Sequence, residues 1–142
     1  MKPIHFVLLF IASLIYFMNG CQHEHEVHQL TEPVSLEGFM QHNVYFYLKD
    51  EVTEEERENF EEGLKALLEI PHIYKSELGV PAPTEDRGVI DSSYAYTIFT
   101  WFESLEDHDL YQVHPDHVRF IEDYNHLWEN VRVYDADIIY AR

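Results

Sequence analysis

The chain has 142 residues, of which 27 are acidic and nine are Lys or Arg, so its formal net charge is −18 at pH 7. A surface this acidic repels nucleic-acid phosphates and anionic lipid headgroups, which argues against both as partners. The length suits one domain behind an N-terminal extension, and the single cysteine excludes an intrachain disulfide.

The first twenty residues predict an export signal. Lys2 gives a positive start, residues 4–18 are almost wholly apolar, and no basic stop-transfer cluster follows. The segment ends in Gly20-Cys21, which resembles the lipobox of bacterial lipoproteins, where cleavage precedes a cysteine that carries diacylglycerol. We therefore expect residues 1–20 to be a signal peptide and Cys21 to anchor an exported protein in the bacterial cell envelope, as its only membrane attachment. The alternative is a cleaved secretory peptide or a plain anchor in which Cys21 has no role.

Residues 21–38 predict an acidic tether, since they are polar, contain Pro33 and show no sustained periodicity. His23, His25 and His28 lie there among glutamates, and imidazole and carboxylate are both ligands of transition metals. Nothing nearby fixes a coordination geometry, so a solvated spacer is the favoured interpretation.

The folded domain is predicted to span residues 39–142, and its first element is a strand over Gln41–Lys49. Alternation along this strand places His42, Val44 and Phe46 on one face. The other face carries the two tyrosines of the segment, Tyr45 and Tyr47.

A helix follows, and its start and end are both marked in the sequence. Thr53 and Glu56 form a capping box, and Pro71 ends the helix. Gly63 lies inside this helix at a cost of about 1 kcal/mol relative to Ala. The apolar stripe consists of Phe60, Leu64, Leu67 and Leu68.

The remaining elements are predicted from periodicity and from helix and turn signals. In chain order they are a strand over His72–Leu78, a loop over Gly79–Ser93, a strand over Tyr94–Phe102, a short helix capped by Ser104, a helix from Pro115 to about Glu129, and a strand over Val131–Ile139. The order is that of the ferredoxin-like split βαβ fold, an α+β class with a four-stranded antiparallel sheet and helices on one face.

The second face of this sheet is predicted to be aromatic. It carries Tyr45, Tyr47, Phe99, Trp101 and Tyr134. This is more exposed aromatic area than a monomer normally carries, so the pattern predicts a homodimer that packs sheet face against sheet face. The competing interpretation leaves the tyrosines in water, and Phe99 and Trp101 argue against it.

Several local strings occur in the order typical of one family. They are His42, Lys49-Asp50-Glu51, Ile70-Pro71, Phe102-Glu103-Ser104 and Tyr111…His114-Pro115…His117. In these strings the chain resembles the stress-responsive A/B barrel (Dabb) domains over roughly residues 39–140. The resemblance implies a ferredoxin-like fold that dimerises through its sheets into an α/β barrel.

The segment around Tyr111 and His117 is the candidate site. His117 is predicted near the start of its helix, on the apolar stripe, where the positive end of the helix dipole disfavours imidazolium. A neutral imidazole in a partly dry pocket can act as a general base, with the Tyr111 hydroxyl nearby and His42 across the cavity. His117, Tyr111 and His42 are therefore the candidate catalytic residues. The alternative is structural: His114 and His117 only satisfy backbone and tyrosine partners at the helix junction.

The predicted pocket lies between the helices and the sheet. Its lining is predicted to include Val44, Phe46, Tyr96, Ile98, His114 and Phe120. Polyketide-cyclase members of the Dabb family are similar to this chain at Tyr111 and His117, where the resemblance implies acid–base work in an aldol closure. Tyr96 departs from the cyclase pattern, in which a histidine stands at that position.

Two functions of different classes follow from these residues. The favoured one is a lipid-anchored module that binds a small apolar or aromatic molecule, or is associated with stress, without turnover. The alternative is a polyketide-cyclase-like or lyase-like enzyme that uses His117 as base and Tyr111 to orient a carbonyl. If Phe46, Phe120 and Trp128 fill the space between helices and sheet, both fail and a dimeric interaction scaffold remains. No cofactor is predicted, and the spacing of the histidines predicts no metal site.

Overall fold

The structure is a computed structural model, and it describes residues 35–142. The predicted signal peptide, Cys21 and most of the predicted tether lie outside the described residues. The elements are β1 (Met40–Leu48), α1 (Glu54–Leu67), β2 (Lys75–Gly79), β3 (Tyr96–Phe102), α2 (Leu105–Gln112), α3 (Pro115–Tyr124) and β4 (Trp128–Asp137).

The four strands form one antiparallel sheet in the order β2-β3-β1-β4. This order and the helix layer on one face confirm the predicted ferredoxin-like fold. β1 is central and β4 is an edge strand, and their register places His42 directly opposite Asp135. The pairing becomes irregular between Tyr47 and Leu48, where Trp128 closes the β1–β4 ladder.

Helix α1 forms as its cap and apolar stripe predict. The Thr53 hydroxyl accepts from the Glu56 N–H, and the Glu56 carboxylate accepts from the Thr53 N–H, so both bonds of the capping box are present. Phe60, Leu64 and Leu67 are buried. They pack into one core with the apolar residues of the helix-covered sheet face.

Helix α3 is shorter than its periodicity predicts. It begins at Pro115 as expected but ends at Tyr124, and the prediction that it continues to about Glu129 was wrong. A turn follows, in which the Leu127 N–H donates to the Tyr124 carbonyl. Trp128 then begins β4, where it pairs with Leu48 of β1.

The two sheet faces differ, although the second face is less bare than predicted. His42, Val44 and Phe46 are buried under the helices. On the other face Tyr134 is 56% exposed, whereas Tyr47 and Trp101 are each only 8% exposed. The Tyr47 hydroxyl donates to Asp91 of the long loop at 2.9 Å, and Lys75 Nζ lies 4.6 Å from the Trp101 ring centre. Contacts from a loop and an edge strand were not visible in the alternation of the sequence.

Within residues 35–142, no helix combines the length and the apolar character that crossing a bilayer requires.

Candidate functional site

A cavity of about 280 Å³ lies between α3 and the helix-covered face of the sheet. Its walls are mainly aliphatic and aromatic, with a few polar groups from Tyr111, Gln112, His117 and His42. The complete lining is His42, Val44, Phe46, Leu67, Ile98, Tyr111, Gln112, His117, Phe120, Ile121, Trp128, Val131 and Val133. An apolar cavity with a few convergent polar groups is the usual form of a small-molecule site.

Tyr111 is placed at the cavity by the last turn of α2. Its ring is 1% exposed and packs against Phe102, with ring centres 5.2 Å apart. Burial raises the pKa of its phenol well above the usual range. The phenol therefore remains protonated near pH 7, and its hydroxyl is a donor that a ligand can use.

His117 is the third residue of α3, and its ring lies 4.6 Å from that of Tyr111. Its Nδ1 is buried and makes no hydrogen bond within the described part of the chain. Burial lowers the pKa of His117, the nearby Gln112 backbone carbonyl acts in the opposite direction, and His42 and other histidines lower the pKa further. The imidazole is therefore neutral near pH 7 and offers a lone pair to a ligand.

His42 lines the cavity from β1, and its ring centre lies 6.1 Å from that of Tyr111. Its Nδ1 lies 2.6 Å from Oδ1 of Asp135, the residue opposite it in β4. Thr100 fixes the strand here, because its hydroxyl donates to the His42 carbonyl at 3.0 Å. Burial lowers the pKa of His42, and the hydrogen bond and charge of Asp135 oppose that shift.

Three polar residues around the cavity were not predicted from the sequence. Asp135 holds His42, the His108 ring lies 5.0 Å from the His42 ring, and Gln112 Nε2 lies 3.1 Å from His108 Nε2. Period-two alternation in β4 could have placed Asp135 on the same face as Val133. The position of His108 depends on how α2 packs, which no local pattern reports.

Most of the predicted site residues meet at this cavity, and two do not. Tyr111, His117, His42, Val44, Phe46, Ile98 and Phe120 all line it. Tyr96 lies outside the lining, where its hydroxyl donates to Glu61 and its ring packs against Phe60. His114 is also outside, because it caps α3 and its Nδ1 accepts from the Asp116 N–H at 3.2 Å.

The fold and the cavity define a ferredoxin-like α+β domain with an apolar pocket under its third helix. The family model of the Stress Responsive A/B Barrel Domain (Dabb) matches residues 40–138. The chain therefore belongs to the Dabb family, as its local strings had predicted.

One protein of known activity and two solved structures are similar to this chain. Olivetolic acid cyclase from Cannabis sativa is 28% identical over 96 residues, covering 68% of this chain and 93% of the cyclase. A dimeric ferredoxin-like protein of unknown function from Bacteroides fragilis is 27% identical, with a TM-score of 0.56 over 71% of this chain and 97% of that one. Hydroxynitrile lyase from Passiflora edulis is 18% identical, with a TM-score of 0.59 over 69% and 91% of the two chains, and shares the fold.

Proposed function

We propose that the domain binds a small, largely apolar molecule that carries a carbonyl group, without converting it. One observation carries this proposal. In an apolar cavity that Tyr111 also lines, the buried Nδ1 of His117 lacks a hydrogen-bond partner among residues 35–142. Buried polar groups are normally paired, so His117 Nδ1 gains its missing partner when a ligand binds beside the Tyr111 hydroxyl.

The two groups define what the ligand presents. Tyr111 donates to a carbonyl oxygen, and neutral His117 accepts from a hydroxyl or another acidic group. The volume of about 280 Å³ lies near the lower end of the range for ligand pockets, so the ligand is about the size of a substituted aromatic ring. The net charge of −18 favours a neutral molecule over an anion.

Matched probes test this proposal. Acetophenone and ethylbenzene differ mainly in the carbonyl group that Tyr111 would bind. We expect acetophenone to raise the thermal unfolding midpoint more than ethylbenzene does, and Tyr111→Phe to remove that difference. His117→Ala should weaken binding of 4-hydroxyacetophenone, whereas the same change at the exposed His126 should not. Equal shifts by both probes, with no dependence on Tyr111, would contradict the proposal.

An acid–base enzyme is the second candidate. It is supported by the 28% identity to olivetolic acid cyclase and by a neutral His117 beside a protonated Tyr111. In this role Tyr111 orients the carbonyl, and His117 removes a proton from the carbon next to it, so that an enol or enolate forms. His42, held by Asp135, and Gln112 are the remaining polar residues of the lining.

Deuterium exchange separates the two candidates. If His117 is a base, the methyl protons of acetophenone in D₂O buffer should exchange faster with the protein present than without it. Each proton that is removed is then replaced by a deuteron. His117→Ala should abolish that acceleration. Binding without turnover predicts a thermal shift and no accelerated exchange, and this is the result that we expect.

A homodimer through the sheet is proposed as the assembly. Solved relatives from Thermobifida fusca and Bacteroides fragilis are dimeric ferredoxin-like proteins. On the helix-free face the exposed ring of Tyr134 lies 5.9 Å from Tyr45, which in turn lies 6.2 Å from Phe99. A twofold partner that packs on this aromatic group would remove it from water.

Export and lipid anchoring through Cys21 are proposed from the sequence alone. The apolar stretch of residues 4–18 and the Gly20-Cys21 junction support this proposal. Intact mass of the membrane-extracted mature protein should show loss of residues 1–20 and the added acyl mass. Cys21→Ser should block that maturation. A soluble product without acyl mass would contradict the proposal.

A further inference from the structure

We propose that His42, His108 and Asp135 form a binding site for a divalent transition-metal ion at the wall of the cavity. One ring nitrogen of each histidine and one carboxylate oxygen of Asp135 all lie within 4.8 Å of one another. The residues come from β1, α2 and β4, so three separate elements converge on one point.

The donor set is one that transition metals prefer. Two imidazoles and one carboxylate are found in catalytic zinc sites and in other sites that keep a position open for water or a ligand. Bonds of about 2.0–2.2 Å place the ligand atoms of a tetrahedral site roughly 3.4 Å apart. The 2.6 Å contact between His42 Nδ1 and Asp135 Oδ1 therefore opens on binding, while the other separations close by small movements.

Movements of this size are available to Asp135 and His108. Asp135 lies on the edge strand, and its side chain is half-exposed, so its carboxylate can change rotamer and the ion can enter from solvent. His108 is partly buried at the surface of α2. His42 moves least, because it is 5% exposed and Thr100 holds its backbone carbonyl.

Neighbouring groups would orient the ligands. The Gln112 side-chain amide lies 3.1 Å from His108 Nε2, and an amide offers both a donor and an acceptor, so it can hold the ring in either tautomer. Outer groups of this kind fix the orientation of metal-bound histidines.

The sequence alone gives no sign of this site. Metal motifs are recognised by short spacings, whereas His42, His108 and Asp135 lie far apart along the chain. Only the β1–β4 register and the packing of α2 bring them together. Because His42 also lines the cavity, the open metal position would be available to an oxygen atom of a bound ligand.

Cobalt titration of the full chain tests the proposal. The tether histidines compete for metal, so the parent protein carries Ala at His23, His25 and His28. Co²⁺ is followed by its visible d–d absorption, which reports coordination geometry, and by calorimetry in the absence of any small molecule. We expect one bound Co²⁺, and its loss in His108→Ala and in Asp135→Asn. Gln112→Ala should weaken binding roughly 10-fold.

The controls keep the outcome decisive. The exposed His126→Ala variant should bind Co²⁺ as the parent does. Circular dichroism shows whether each variant folds. If His108→Ala does not fold, the Co²⁺ binding of Asp135→Asn decides the outcome, because Asp135 is half-exposed. The proposal is overturned if Asp135→Asn binds as tightly as the parent, or if removing the tether histidines removes all Co²⁺ binding. Neither result would bear on ligand binding by Tyr111 and His117.

Discussion

The ring of Tyr124 occupies the space in which a Cβ atom on Gly63 would lie. A Cβ built there would approach Cε2, Cζ and the hydroxyl oxygen of Tyr124 to 2.4, 2.6 and 2.8 Å. This contact joins α1 to α3, the helix that carries His117. The glycine therefore lets the two helices pack closely, although glycine is unfavourable inside a helix.

Gly63→Ala should destabilise the protein. Helix propensity alone predicts a gain of about 1 kcal/mol, but the clash with Tyr124 overpacks the core, at a cost of about 1–3 kcal/mol. We expect the free energy of unfolding in urea to fall. The matched test is the same change in a Tyr124→Ala background, where it should be neutral or stabilising. A stabilising Gly63→Ala in the otherwise unchanged protein would contradict the packing argument.

The fold was predictable because its signals are local. Alternation in β1, the Thr53 capping box and the order of elements lead to the ferredoxin-like sheet without knowledge of any distant contact. The end of α3 was not predictable in this way. Trp128 continues the helical spacing of the apolar residues, yet pairing with Leu48 across the sheet places it in β4. Tertiary pairing outweighs a local period at that point.

The candidate site was predictable only in part, for a related physical reason. Tyr111 and His117 flank the α2–α3 junction, so their proximity follows from local geometry. The pair formed by His42 and Asp135 requires the β1–β4 register, which the sequence does not fix. His108 requires the packing of α2 against β3. The contacts of His42 with Asp135 and with His108 were missed because they depend on this long-range packing.

Acidification should destabilise the fold through His42 and His117. In the unfolded chain both titrate near 6.5, whereas burial lowers both pKa values in the folded protein. Below pH 6.5 the unfolded state therefore binds more protons, so stability falls as the pH drops towards the folded pKa values. Well above pH 6.5 both histidines are neutral in the folded and the unfolded state, so they no longer make the stability depend on pH.

Urea unfolding across this window measures the effect. His117→Phe keeps an apolar ring beside Tyr111 and should reduce the slope of stability against pH between about pH 5.5 and pH 7, a range above most carboxylate pKa values. The same change at the exposed His126 should leave the slope intact. A slope that His117→Phe does not alter would show that the burial of this imidazole has no energetic consequence.

Closing the mouth of the cavity should abolish ligand binding without unfolding the domain. Val133 lines the cavity from the edge strand and is 47% exposed, so Val133→Trp can place its ring across the opening without overpacking the core. We expect the thermal shift with acetophenone to disappear while the midpoint without ligand changes little. Val118→Trp is the matched control, because Val118 is similarly exposed and lies outside the lining. Retained binding in Val133→Trp would place the ligand elsewhere.

A charge at Tyr134 should dissociate the proposed dimer. Trp101 is a poorer test position, because its ring is 8% exposed and a charge there would disrupt the fold of the monomer. Tyr134 is 56% exposed on the same face, so Tyr134→Glu leaves the monomer intact but would bury an unpaired carboxylate against the partner sheet. Sedimentation velocity at micromolar concentration should show a dimer for the wild type and a monomer for Tyr134→Glu. Tyr140→Glu, at an exposed position after β4, should remain dimeric. If the wild-type chain sediments as a folded monomer, the sheet face is not an interface, and its aromatic rings remain in contact with solvent.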